Sequence, residues 1–374
     1  MPDETSLIRT RPRIGLALGA GVARGWAHIG VLRGLKRLGI EPDIVTGTSV
    51  GALVGGSYLA GHLDTLEEWA RNLSRMKIVS YLDLRVRSGG LIGGGRLMAE
   101  MKKHMGDQQI EDLPIPFAAI ATDLVTGHEV WLRTGGLAEA LRASFSLPGV
   151  FPPICIDQRW LVDGALVDPV PVSACRALGA EMVIAVNLNA DILGKARKPG
   201  ASIATAAGFD LLQALEETQQ APETPPPSRL DALTRRVFSR DYEGPSLFGV
   251  MVSSLGIITD RIGRARLATD PPDVQIAPRL GHVGLLEFDR ASDAIEEGAA
   301  ATERAVPDLA DAIRVFSANL RDTARRPARS ASARRRPRAS SGGTPNGCAA
   351  GSPPCRRAGP SPRARSSRCW APTT

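Results

Sequence analysis

The chain has 374 residues, 43% of them hydrophobic, enough for one large core or two ordinary ones. Its net charge of +7 is uneven: from Thr323 onward there are 12 arginines, no lysine and no acid, which leaves residues 1–322 with 34 basic and 39 acidic side chains, net −5. A mildly acidic body argues against a nucleic-acid groove, five scattered cysteines against a disulfide framework or zinc site, and the charged, proline-bearing start "MPDETSLIRTRPR" against a secretory signal.

Residues 13–18, "RIGLAL", form a short apolar run ending in glycines, as a buried strand does. "LGAGVARG" (18–25) follows. A dinucleotide loop needs small residues at three set places. Gly19 and Gly21 fit, but Arg24 occupies the third, and an acidic ribose partner is not obvious about twenty residues on, Glu41 and Asp43 merely lying nearby. The better reading is a turn whose N–H groups converge on an oxygen, built from Gly19, Ala20, Gly21, Val22, Arg24 and Gly25, with Arg24 adding positive charge. Val22 is the awkward member, since a β-branched residue disfavours positive φ. His28, Val31, Leu32, Leu35 and Leu38 then recur at helical spacing, with basic residues near the end and Gly39 as a stop.

"DIVTGTS" is a second strand and residues 50–60 a small-residue helix. The 18 residues from Ile44 to Gly61 carry no formal charge, the length of a short membrane span. Five glycines and the hydroxyls of Thr46, Thr48, Ser49 and Ser57 favour a buried strand–turn–helix instead. Gly47 and Gly51 flank Ser49 as G-x-S-x-G, the pattern of a nucleophile elbow. A packing turn with an incidental serine is the alternative.

Asp64 and Glu67 suggest a capping box for the helix "TLEEWARNL". "GGLIGGGRLMAEMKKHM" (89–105) reads as a glycine turn opening a helix, without a P-loop Gly-Lys-Ser/Thr. "PFAAIATDL" and "EVWLR" read as paired strands around Thr126-Gly127, and "LAEALRASF" as a helix. "RWLVDGAL" is a strand ending at Asp163 and Gly164. Sites gather at strand ends of parallel sheets, so Asp163 is either the acceptor of a serine proton or the start of an Asx turn. "VSACRALGA" is helical and "EMVIAVNLN" a buried strand. Beyond the proline-rich "APETPPPSR", residues 240–270 are mostly helical, "DVQIAPRL" is a last strand, and residues 288–320 form two closing helices. The alternation argues for an α/β domain with a largely parallel sheet. The expected organisation is a short extension (1–12), one domain (13–320, with a helical, Pro-interrupted region 194–270) and a disordered basic tail (321–374).

Taken together, "GAGVARGWAHIGVL", "GTSVGALVG", "RASFSLPGVFPP" and "DGALVDPVPV" resemble, in order and spacing, the bacterial patatin-like phospholipases over residues 12–318. The resemblance implies a three-layer α/β fold with a central, mostly parallel sheet. It implies hydrolysis of fatty-acyl esters by a serine–aspartate dyad, without histidine, metal or cofactor. Carried over by motif, the dyad is Ser49 and Asp163. The oxyanion donors fall within residues 19–25, foremost the N–H groups of Gly21 and Val22, aided by Arg24; Gly47, Gly51 and Gly164 serve the elbow and turn. The implied partner is a lipid or acyl ester, with peripheral contact with a membrane; the scattered cysteines and the start of the chain fit a cytoplasmic protein, and the acidic body fits no specific nucleic acid. Two rivals stay open. A Ser…Asp…His triad would need His282, the only histidine after Asp163, while His28, His62, His104 and His128 read as core or loop residues. A non-catalytic regulator could use the same fold.

Overall fold

The computed structural model describes residues 11–74, 98–99, 101–103, 106–191 and 247–325. By its internal contacts the chain divides into Met1–Thr323 and Ala324–Thr374, and the fold described here is that of the first unit. The glycine-rich stretch 89–97, the break at 221–229, His104 and nearly all of the basic tail lie outside the described residues.

Three five-residue apolar strands form the centre: β1 (Ile14–Leu18), β2 (Ile44–Thr48) and β7 (Met182–Val186). Every residue in them is buried, as expected of parallel strands covered on both faces. β1 pairs in parallel with both β2 and β7, and β7 with β8 (Val274–Ile276). β2 pairs in parallel with β3 (Phe117–Asp123). The far side is antiparallel, made of β4 (Glu129–Leu132), β5 (Ile154–Ile156) and β6 (Arg159–Asp163). The eight strands run in the order β5-β6-β3-β2-β1-β7-β8, with β4 beside β3. The sequence reading missed β5. It is three half-exposed residues behind two prolines, too short to show an alternation.

The register around β3 matters most for the site. Ala119 and Ile120 pair with both β2 and β4, so those two strands lie on opposite edges of β3. Ala121 and Thr122 pair with both β4 and β6, so these also lie on opposite edges. β2 and β6 therefore share one edge and meet head to head on it. Thr48 faces Ile120, and Asp163 faces the next residue, Ala121.

Helices cover both faces. On one, Leu16 and Leu18 pack with α1 (Ala27–Arg37), α2 (Val50–Leu59) and α7 (Ala291–Arg304). On the other, Ala17, Val183 and Ala185 meet α5 (Val172–Ala177) and Leu267 of α6 (Leu247–Thr269). α3 (Leu63–Arg71), α4 (Leu137–Ser144) and α8 (Val306–Arg325) are further helices, α8 running past the end expected at Leu320, and residues 98–99 and 101–103 are helical, as expected after the glycine turn. α1 ends as its sequence suggests, with Gly39 at φ +69° and the Ile40 N–H returning to the Leu35 carbonyl. The expected capping box does not form. α3 starts at Leu63 with His62 at its N-cap, and Asp64 and Glu67 instead pair with Arg33 of α1. The uncharged stretch 44–61 is β2 followed by α2, and among the described residues no helix is long and apolar enough to cross a membrane.

α1 and α7 pack backbone to backbone. A Cβ on Gly30 would stand 1.9 Å from the Ile295 carbonyl oxygen, and one on Gly298 2.0 Å from that of Ala27. Gly298→Ala should therefore lower unfolding free energy by about 1–3 kcal/mol, the usual cost of overpacking, as read by urea denaturation. An unchanged urea midpoint would refute the close contact.

Candidate active site

The elbow forms because β2 must stop where β6 arrives, and α2 starts immediately behind. Ser49 sits between them at φ 58°, ψ −125°, a conformation costing a non-glycine residue about 1–3 kcal/mol. Its small neighbours make this feasible. A Cβ on Gly51 would meet the Leu18 carbonyl oxygen at 2.2 Å, and one on Gly47 would meet α2 backbone at 2.5 Å. Opposite, Gly164 passes so close to β3 that a Cβ would lie 2.2 Å from the Ile120 oxygen.

This convergence brings the two side chains together. Ser49 Oγ donates to Asp163 Oδ2 at 2.6 Å. The other carboxylate oxygen, Oδ1, accepts the Ala165 N–H at 2.8 Å, so Asp163 makes the local turn as well as the contact with Ser49. Both residues are almost dry, at 5% and 2% exposure. Burial pushes the Asp163 carboxyl up to about 6, against the opposing pull of the Ser49 hydroxyl and the Ala165 N–H. Thr122 Oγ1 donates to the Asp163 carbonyl, and Thr48 Oγ1 to the Asp168 carbonyl, tying both strand ends to the loop beyond.

The loop after β1 becomes a short 3-10 helix, Val22–Trp26. Most of its N–H groups are spoken for: Gly19 by Val186, Ala20 by Pro169, Ala23 by Leu285 and Arg24 by Gly21. Among the described residues, the N–H groups of Gly21 and Val22 meet no protein acceptor. Val22 does take positive φ, at +51°, despite its branching. The loop glycines fit tight spaces: a Cβ on Gly19 would approach the Val186 oxygen at 2.7 Å, and one on Gly25 would strike Val50 at 2.0 Å. Arg24 is buried and its Nε donates to the Val283 carbonyl at 2.7 Å, so its side chain anchors the loop to the segment before α7. Burial lowers its pKa to about 10, partly offset by Glu287.

His28 is fully buried, with Nε2 2.7 Å from the Gly19 carbonyl oxygen. A carbonyl only accepts, so the ring carries its proton on Nε2. Burial drives its pKa down to about 4 and keeps it neutral. The Gly19–Ala20 peptide is thus held from both sides, a role its place on an apolar helix face did not reveal. His282 is exposed, and its own carbonyl accepts from Arg290. Among the described residues no cluster of His, Cys, Asp or Glu is placed to hold a metal. A cavity of about 360 Å³ between α6 and the ends of β7 and β8 has neither Ser49 nor Asp163 in its wall.

A serine on a strand–helix turn, bonded to a buried aspartate at the end of a mostly parallel sheet between helix layers, is the arrangement expected from the resemblance to the patatin-like hydrolases. The sequence model of the patatin-like phospholipases matches residues 16–176. An uncharacterized NTE family protein of Mycobacterium tuberculosis is 33% identical over 336 residues, covering 79% of this chain and 91% of its own. Patatin-like phospholipase domain-containing protein 7 of Rattus norvegicus is 35% identical over 188 residues, 48% of this chain and 14% of its own. Lysophospholipase nte1 of Emericella nidulans is 36% identical over 180 residues, 47% of this chain and 12% of its own. The chain belongs to the patatin-like phospholipase family, among its NTE family members, and is a hydrolase.

The raised Asp163 pKa has a stability consequence. The folded chain holds this proton more tightly than the unfolded chain, whose aspartates titrate near ~3.9. The group is therefore neutral in its effect below about pH 4, costs stability as pH rises through about 4 to 6, and costs it fully above. Asp163→Asn should be more stable than the parent at pH 8 by roughly 1–3 kcal/mol, the gap closing toward pH 4.5. Thermal melts of both proteins across that range test it, and a gap independent of pH would refute the assignment.

Proposed function

We propose that the protein hydrolyses fatty-acyl esters of lysophospholipids or phospholipids, with Ser49 as nucleophile and Asp163 as its base. The observation that carries this is the 2.6 Å bond between Ser49 Oγ and Asp163 Oδ2 on a strained elbow at a helix N-terminus. The relatives named as lysophospholipase and phospholipase-domain proteins support the substrate class.

As Ser49 Oγ attacks the ester carbonyl carbon, its proton passes to Asp163 Oδ2. The oxyanion is received by the free N–H groups of Gly21 and Val22, in a loop steadied by His28 and by the Arg24 side chain; one such donor is typically worth about 3–4 kcal/mol. Asp163 returns the proton to the departing alcohol, leaving the acyl group on Ser49. A water then gives its proton to Asp163 and attacks the acyl carbon; as the bond to Ser49 Oγ breaks, Asp163 passes that proton to Oγ, releasing the fatty acid and restoring hydroxyl and carboxylate. A carboxyl titrating near 6 suits this work, being ionised at neutral pH yet basic enough to take a proton. The direct contact leaves no place for an imidazole between the two side chains, which favours the dyad over a triad through His282.

Contact with a lipid surface belongs to the same proposal, for a cytoplasmic protein working at a membrane. Leu124, Val125 and Trp160 are exposed together, at 53%, 80% and 43%, and the Leu124 N–H donates to the Trp160 carbonyl. Asp123 Oδ1 accepts the N–H groups of Val125 and Thr126 and stiffens the tip. The tip lies three residues beyond Ala121, the partner of Asp163 on β3, so it projects from the end of the sheet that carries the pair. An apolar tip with an amphipathic tryptophan suits the boundary between lipid headgroups and acyl chains.

On p-nitrophenyl butyrate, Ser49→Ala and Asp163→Asn should each lose at least about 1,000-fold in kcat/KM, while His282→Ala stays within about threefold of the parent. The parent's kcat/KM should rise with pH through about 6 and then level. Equal ester release by Ser49→Ala and parent would leave a binding protein, and loss of activity in His282→Ala alone would restore the triad. The double variant Leu124→Asp, Val125→Asp should no longer sediment with phosphatidylcholine vesicles, yet keep the parent's rate on the soluble ester. Undiminished sedimentation would eliminate this surface.

A further inference from the structure

The turn that ends α4 grips both members of the pair. Ser144 Oγ accepts the backbone N–H of Ser49 at 2.9 Å and donates to the Ile120 carbonyl at 2.6 Å. Two residues on, the Ser146 carbonyl accepts the backbone N–H of Asp163 at 2.9 Å. Ser144 and Ser146 are wholly buried. On β3, Ile120 faces Thr48 and Ala121 faces Asp163, so residues 144–146 bridge the point where β2 and β6 meet and can no longer pair along β3.

The turn is itself fastened. Arg142 Nη1 donates to Ser146 Oγ at 2.6 Å, and that hydroxyl donates back to the Arg142 carbonyl at 2.8 Å. The guanidinium lies 4.8 Å from the Phe151 ring centre and 5.3 Å from that of Phe145, and the two rings meet edge to face. Arg142 is 3% exposed, and among the described residues it pairs with no carboxylate. A cation buried without a counter-ion is a costly way to hold a turn unless the turn's position matters.

We infer that Ser144 is a positioning residue for the reaction, and that the Ser144–Ser146 turn, locked by Arg142, sets the separation of the Ser49 hydroxyl and the Asp163 carboxylate. The inference rests on the reading of Ser49 as nucleophile. Ser144 holds the Ser49 backbone in its positive-φ conformation, while Ser146 holds the end of β6 level with it. It also follows that the Ser49 N–H is committed to Ser144, so the donors for an oxyanion must come from the glycine loop.

The test uses Ser144→Ala and Ser144→Thr in the full chain, with kinetics on p-nitrophenyl butyrate, the rate of Ser49 phosphonylation by a fluorophosphonate, and deuterium exchange in the peptide carrying Ser49. A displacement of about 1 Å costs on the order of 100-fold in such a pair. Ser144→Ala should lower kcat and phosphonylation roughly 10- to 100-fold with KM within about twofold, and Ser144→Thr, which keeps the hydroxyl, should recover most of both. The Ser49 peptide should be protected in the parent and exchange faster in Ser144→Ala. Parent-like kinetics in Ser144→Ala, or equal losses in both variants, would overturn the inference. If Ser144→Ala does not fold, fast exchange of the Ser49 peptide in the parent would overturn it and strong protection would support it. A parent that neither turns over the ester nor takes the fluorophosphonate would instead remove the proposed reaction, and exchange would still decide whether Ser144 holds the Ser49 backbone.

Discussion

Two strands that point at each other cannot both continue along one edge of a third. That constraint organises this protein. β2 and β6 arrive on the same edge of β3 from opposite directions, and each must leave the sheet within a residue of the other. β2 leaves through the strained turn at Ser49, and β6 leaves through the Asx-type turn at Asp163. The hydroxyl and the carboxylate meet because the sheet has no room left between them. Residues far apart in the chain are thereby placed by backbone register, which is stiffer than any loop.

The arrangement is costly, and the costs fall in one place. Ser49 and Val22 hold positive φ, and among the described residues the Asp163 carboxylate and the Arg142 guanidinium are buried without opposite charge beside them and His28 has a buried Nδ1 with no partner. Each of these would be a defect in a purely structural core. Gathered around one hydroxyl, they describe a region whose geometry is imposed by its surroundings. The surroundings are well suited to impose it, because the central strands are buried on both faces and α1 and α7 touch through backbone.

What could be read from the chain was whatever has a short-range signature. The all-apolar runs at β1, β2 and β7, the glycines two residues either side of Ser49, and the aspartate ending "RWLVD" all announce themselves locally. The elements that depend on distant partners did not. Asp64 and Glu67 have the spacing of a capping box, but Arg33 from another helix claims both. Ser144 lies in "RASFSLPGVFPP", a segment that carries the resemblance, but only the fold reveals that its hydroxyl faces the Ser49 N–H. Val22 tolerates its conformation because Ala20 and Ala23 on either side are bonded to distant carbonyls, at Pro169 and Leu285. His28 shows a helical period and nothing more until its ring is found against Gly19.

The seam between α1 and α7 also governs how the molecule comes into being. α1 is made well before its partner: the surface it needs belongs to residues 291–304, more than 250 positions later. β1, at the middle of the sheet, likewise waits for β7. A growing chain therefore carries a large apolar face with nothing to cover it until residues 291–304 have been made, and long-range closure of this kind is slow. Until that closure the uncovered face is a surface on which the chain can misassociate, the general hazard that chaperones exist to contain.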